Sequence, residues 1–163
     1  MEVLQMSDVI RYADFTEENK SNFMAIAEKI IEFSIIARYE GLLAVEEHLE
    51  EIAELKLCPK YALFFKKALQ LTMDGFDPSD VKIIMENYSY YSSEIPFDSL
   101  IFDMILYGAL TVQNGDNPRI LAEKLVSYVG IVESQPVYER FINKIDGLCS
   151  IFEERREAAT ADN

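Results

Sequence analysis

The groups in this chain that could do chemistry are 29 carboxylates, one histidine and two cysteines. His48 lies among glutamates in an acidic helical run, away from any nucleophile, so a Ser-His-Asp or Cys-His arrangement is not expected. One histidine and the distant Cys58 and Cys149 do not make a zinc site, and no metal or other cofactor is expected. The cysteine pattern fits a reducing compartment, though it is also compatible with one disulfide. Asp74-Gly75-Phe76-Asp77 superficially suggests a calcium loop, but it lacks the spaced acidic ligands and the closing glutamate. The glycines are scattered and form no phosphate cradle. The chain is therefore expected to act by binding rather than by catalysis.

The charges that stand out are Arg38 and Glu46. Positions three and four residues from Arg38 hold Ser34, Ile35, Gly41 and Leu42; those around Glu46 hold Leu42, Leu43, Leu49 and Glu50. On a helix these are the positions that pair, so neither charge has a local counter-ion. Solvation is the default reading of such charges. Glu47, Glu50, Glu51 and Glu54 extend the negative face beyond Glu46. With a net charge of −14 over 163 residues, nucleic acid and anionic membrane are improbable partners. A basic protein surface is the natural one.

The elements that must position these residues are helical. Half the residues are hydrophobic, enough for a core in a single domain. Asp14 with Glu17 reads as a capping box, with Thr16 as an alternative cap. Phe23, Ile26, Ala27, Ile30, Ile31 and Ile35 follow at helical spacing, and Gly41 either kinks this helix or divides it from the next. Leu42, Leu43, Val45 and Leu49 are expected to face the core. Pro59, Pro78, Pro96 and Pro118 sit where helices begin, and Gly75, Asn114-Gly115 and Gly130 where they end. Leu63, Phe64, Ala68, Leu69 and Leu71 are expected to be apolar contacts of the helix after Pro59, and a last helix follows Pro136. The spacing predicts an all-α domain of six or seven helices with short connections over residues 1–157, a short weak helix within Met1–Ala13, and a loose tail at 158–163.

Met1–Ile10 lacks the basic start and apolar core of a signal peptide. The most apolar stretch, Leu100–Val112, is interrupted by Asp103 and falls short of the ~20 residues of a membrane span. A soluble cytoplasmic protein is the expectation. A faint internal echo links Gly41-Leu-Leu-Ala-Val-Glu46 with Gly108-Ala-Leu-Thr-Val-Gln113, and Asp77-Pro78 with Asn117-Pro118. Repeated helix pairs or shared capping chemistry would each account for it.

Three segments together resemble the cytoplasmic parts of MotA, the flagellar stator protein of the MotA/TolQ/ExbB group. Ala37-Arg-Tyr-Glu-Gly-Leu-Leu-Ala-Val-Glu46 is similar to the family's A-R-x-E-G-L-L-A-L-E. Phe65–Pro78 is similar to its K-G-L-Q-L-V-V-D-G-x-D-P. Gly108–Leu125 is similar to its G-I-L-A-I-Q-x-G-x-N-P-R-x-L-E-E-K-L. The order is the family's, but the transmembrane hairpin that separates the second and third segments there is replaced here by roughly Tyr88–Pro96. The chain thus resembles either a natural soluble relative or a shortened piece of such a protein, with no ion-conducting part. The resemblance implies that Arg38 and Glu46, which match the arginine and glutamate the family presents to the rotor protein FliG, are contact residues. Glu47 and Glu50 would add attraction. If the helix ran unbroken, eight residues would set Arg38 and Glu46 about 12 Å apart. A soluble helical adaptor with a different basic partner is the alternative the sequence leaves open.

Overall fold

The computed structural model describes residues 10–162. Seven α-helices occur among them: α1 Glu17–Glu40, α2 Glu51–Glu54, α3 Pro59–Met73, α4 Pro78–Ser92, α5 Pro96–Asn114, α6 Pro118–Val126 and α7 Ser134–Ala161. Short 3-10 turns precede α1 (Tyr12–Asp14) and follow α6 (Ser127–Val129), and a longer 3-10 segment, Leu42–His48, links α1 to α2. The described residues contain no strand, and none of their helices is long and apolar enough to cross a membrane. The chain is all-α, as the spacing predicts. The short helix expected within Met1–Ala13 falls largely outside the described residues. Ala158–Ala161, expected to be loose, continue α7.

Proline and glycine punctuate this fold through backbone geometry. Pro59, Pro78, Pro96 and Pro118 each occupy the first helical position, where a missing N–H costs nothing. Helices α3 and α5 stop in the same way. Phe76 N–H donates to Leu71 O and Gly75 N–H to Thr72 O; Asp116 N–H donates to Thr111 O and Gly115 N–H to Val112 O. Both are six-to-one and five-to-two closures around a left-handed glycine. Helix α1 is capped by Thr16, whose hydroxyl accepts from Asn19 N–H at 3.1 Å, while Asp14 belongs to the preceding turn. The capping-box reading is corrected accordingly.

Helix α5 is the centre of the packing, touching α1, α3, α4 and α6, and α7 closes over α1 and α6. Phe23, Ile26, Ile30 and Phe33 of α1, Phe65 and Leu69 of α3, Ile101, Phe102 and Ile105 of α5 and Phe141 of α7 are all buried. Each contributes roughly 1.5–3 kcal/mol by leaving water. At the α1–α5 crossing Gly108 lets the helices approach so closely that an added Cβ would stand 2.8 Å from Ile30 Cδ1. The first half of the sequence echo therefore has no structural counterpart. Gly41 ends a helix with φ +95°, whereas Gly108 lies inside one. Only the second half, proline-led helix starts, is shared.

A buried carboxylate ties two helix starts together. Asp98, at the third position of α5, is 0% exposed. Its Oδ2 accepts from Glu94 N–H at 2.9 Å, Ile95 N–H at 3.2 Å and Lys60 Nζ at 2.6 Å, and its Oδ1 from Tyr61 O–H at 2.6 Å. Burial works to raise the Asp98 carboxyl, but Lys60, Tyr61 and the two backbone N–H groups outweigh it and hold it below the usual range. The same hydrogen bond raises Lys60, and burial followed by donation to Asp98 raises Tyr61.

One side chain expected among the apolar contacts of α3 faces outward instead. Leu63 is 71% exposed. Phe64, Ala68, Leu69 and Leu71 are buried as expected.

Candidate interaction surface

Arg38 lies in the last turn of α1, exposed. Its backbone is fixed by its neighbour. The Tyr39 ring stacks on Phe152 of α7, centroids 5.1 Å apart and planes 9° apart, and its hydroxyl donates to Glu153 Oε1 at 3.1 Å. Burial and then this hydrogen bond push the Tyr39 hydroxyl up to about 12, so it stays a donor at any physiological pH. The end of α1 is thus pinned to α7 while Arg38 projects freely.

Gly41 then breaks the helix. Its φ of +95° and ψ of 159° belong to a region that essentially only glycine enters. Arg38 and Glu46 consequently do not share one helix, and the 12 Å expectation for an unbroken one is corrected. Glu46 sits on the 3-10 segment, where residues three apart are stacked in rows. One row, Leu42, Val45 and His48, turns toward the protein, with Val45 fully buried. The next row, Leu43 and Glu46, turns outward, and Leu43 is 69% exposed. The expectation that Leu43 faces the core fails because it assumed an α-helical period of 3.6. In its place the structure shows an exposed apolar side chain on the same row as Glu46.

The segment is fastened at its far end. His48 Nδ1 lies 2.6 Å from Glu51 Oε1, and Glu51 Oε2 accepts from Lys29 of α1 at 2.9 Å. Hydrogen bonds from His48 and then Lys29 hold the Glu51 carboxyl below its ordinary value. Burial opposes the Lys29 charge, but hydrogen bonds to Glu51 and Glu32 outweigh it and raise Lys29. His48 is half-buried rather than a solvated helical side chain. Leu49 and Ile52 complete the anchorage in the core.

Of the four residues expected to contact a partner, the structure leaves three free. Arg38, Glu46 and Glu47 are exposed, and none makes a side-chain hydrogen bond or ion pair with another described residue. Glu50 differs: its Oε1 accepts from Lys66 Nζ of α3 at 2.6 Å. Glu51 is also engaged, as described, and Glu54 is exposed. Sequence reasoning passed over Tyr39 and Leu43. The first has no local signal, since its partners lie more than a hundred residues away; the second is signalled only by the glycine break that starts the 3-10 turn.

Cys58 and Cys149 are both free thiols. Among the described residues no group of three or more His, Cys, Asp or Glu could hold a metal ion. No family model, no curated protein and no solved structure matches the chain. The likeness to MotA rests on the three segments quoted above.

Proposed function

We propose that the chain is a non-catalytic interaction module, related in kind to the cytoplasmic part of the flagellar stator, that docks a charged rotor or switch protein such as FliG through Arg38 and Glu46 without conducting ions. The observation that carries the reading is that these two charges project unpaired from backbones that are each anchored. Tyr39 holds the first against α7; Val45 and the His48–Glu51–Lys29 chain hold the second against α1. Backbones held ready in this way lose little loop freedom on binding. Leu43, beside Glu46, supplies an apolar contact that can exclude water around them. The acidic face adds long-range attraction, so binding weakens as salt shortens the Debye length below about 10 Å.

The net charge of −14 also favours a second reading: the same surface receiving a basic partner unconnected with motility. Immobilised protein incubated with a lysate of flagellated cells separates the two. Enrichment of FliG that falls with added salt supports the first. Consistent absence of FliG, with another basic protein retained by the Arg38–Glu46 surface, moves the assignment to the second.

A further inference from the structure

Helix α3 is electrostatically unlike the rest of the molecule. From Leu55 to Met73 the chain carries four lysines and no acidic residue, in a protein with 15 basic and 29 acidic side chains overall. Two of these lysines are committed: Lys60 to Asp98 and Glu94, and Lys66 to Glu50. Lys67 is exposed and has no ion pair among the described residues. It stands with Lys60 at the rim of a groove of about 380 Å³ between α3 and α4, whose walls include Leu63, Phe64, Met85 and Tyr88. Phe64 and Met85 are buried at its base, while Leu63 and Tyr88 rise exposed beside it. The stretch Asn87–Ser93 of the α4 wall carries no charge, and its Tyr88 and Ser92 line the groove.

We infer that this groove is a second docking site, one that takes an acidic amphipathic helix of a partner protein. Its volume falls within the range of clefts that bind small ligands. Exposed Leu63 and Tyr88 supply the apolar and aromatic contacts that helix-in-groove recognition uses. The occupant's sign follows from the lining: its charged residues are Lys60 and Lys67, and although Lys60 is already paired with Asp98 and Glu94, Lys67 is free, so a glutamate flanking an apolar anchor meets attraction here. The groove shares no residue with the Arg38–Glu46 surface, whose partner is basic or of mixed charge. The protein would then hold two partners of opposite character at once.

The test uses the whole protein and a fluorescein-labelled peptide of about 16 residues, long enough for a helix to form, with leucine and phenylalanine on one face and glutamate on the other. A second peptide carries lysine in place of each glutamate. Fluorescence anisotropy is expected to show saturable binding of the glutamate peptide and at least tenfold weaker binding of the lysine peptide. Leu63→Glu and Lys67→Glu, both at exposed positions and both checked for helicity by circular dichroism, should each weaken the glutamate peptide at least fivefold. Arg38→Glu with Glu46→Lys should leave it unchanged, which separates this site from the one proposed above. The inference is overturned if the glutamate peptide does not bind saturably, if the lysine peptide binds as well, or if both groove variants bind like the wild type. It is also overturned if sedimentation shows a dimer that Leu63→Glu dissociates, because a second copy would then fill the groove.

Discussion

Asp98 and Arg38 look alike in the sequence and opposite in the structure. Asp98 has Glu94, Ile95, Ile101 and Phe102 at the pairing distances, so it too lacks a local counter-ion. Yet it is fully buried, and four donors occupy its two oxygens, the charged one coming from Lys60, 38 residues away in sequence. Arg38, with the same local signature, finds no such partner and stays in water. A missing local partner therefore nominates a charge for either of two fates. One is a distant partner in the core, where the charge fixes architecture. The other is the surface, where it remains available to another molecule. Tertiary structure decides between them.

The largest expected effect comes from breaking the first fate. Asp98→Ala leaves the Tyr61 hydroxyl and two backbone N–H groups without their acceptor and Lys60 with Glu94 alone, and should cost about 3–5 kcal/mol in urea unfolding. Arg38→Ala and Glu46→Ala, by the same measurement, should each stay within about 0.5 kcal/mol of the wild type. A loss of several kcal/mol from either would show that these charges serve the fold and would erase the contrast.

Acid should sharpen the same contrast. An unfolded aspartate takes up its proton near pH 4, and the folded Asp98 carboxyl titrates lower. Its contribution is therefore fully present above the unfolded value and is lost as pH falls through the lower, folded one. A melting-temperature series through this range should fall more steeply for the wild type than for Asp98→Asn, which has no charge to neutralise. Parallel curves would mean that the hydrogen bonds to Asp98 do not favour its ionised form.

Backbone effects come next. Gly108→Val places methyl groups against Ile30 at the α1–α5 crossing and should cost about 1–3 kcal/mol by overpacking. Gly41→Ala meets no atom within 4 Å but forces a β-carbon into a positive-φ region, with a penalty of about 1–3 kcal/mol. The second change also shifts the segment carrying Leu43 and Glu46, so it should weaken partner binding even where the protein stays folded. Equal binding by folded Gly41→Ala would show that the break does not position Glu46.

The boundaries of most helices were legible because proline and glycine act through local backbone geometry. Pro59, Pro78, Pro96 and Pro118 mark starts, and Gly75 and Gly115 mark stops, with no knowledge of the rest of the chain. The all-α class followed from apolar spacing for the same reason. What a local reading cannot supply is which of two apolar faces meets the core. Leu63 is expected among the core contacts and lies outside, because α3 directs its other face toward α5. Within the candidate surface Arg38, Glu46 and Glu47 lie where the sequence suggests, whereas Glu50 is engaged by Lys66 from α3. Leu43 escaped because a 3-10 turn changes the period, and the turn follows from a glycine conformation rather than from hydrophobic pattern.

The central claim is the proposal that Arg38 and Glu46 are held ready for a rotor protein such as FliG, and calorimetric titration of purified FliG into the wild type and the Arg38→Glu, Glu46→Lys double variant tests it most directly. The account predicts unchanged unfolding, a loss of about 1–3 kcal/mol in binding free energy, and a wild-type affinity that weakens with salt. Equal affinity of wild type and variant, or no binding of FliG by the wild type, would contradict it.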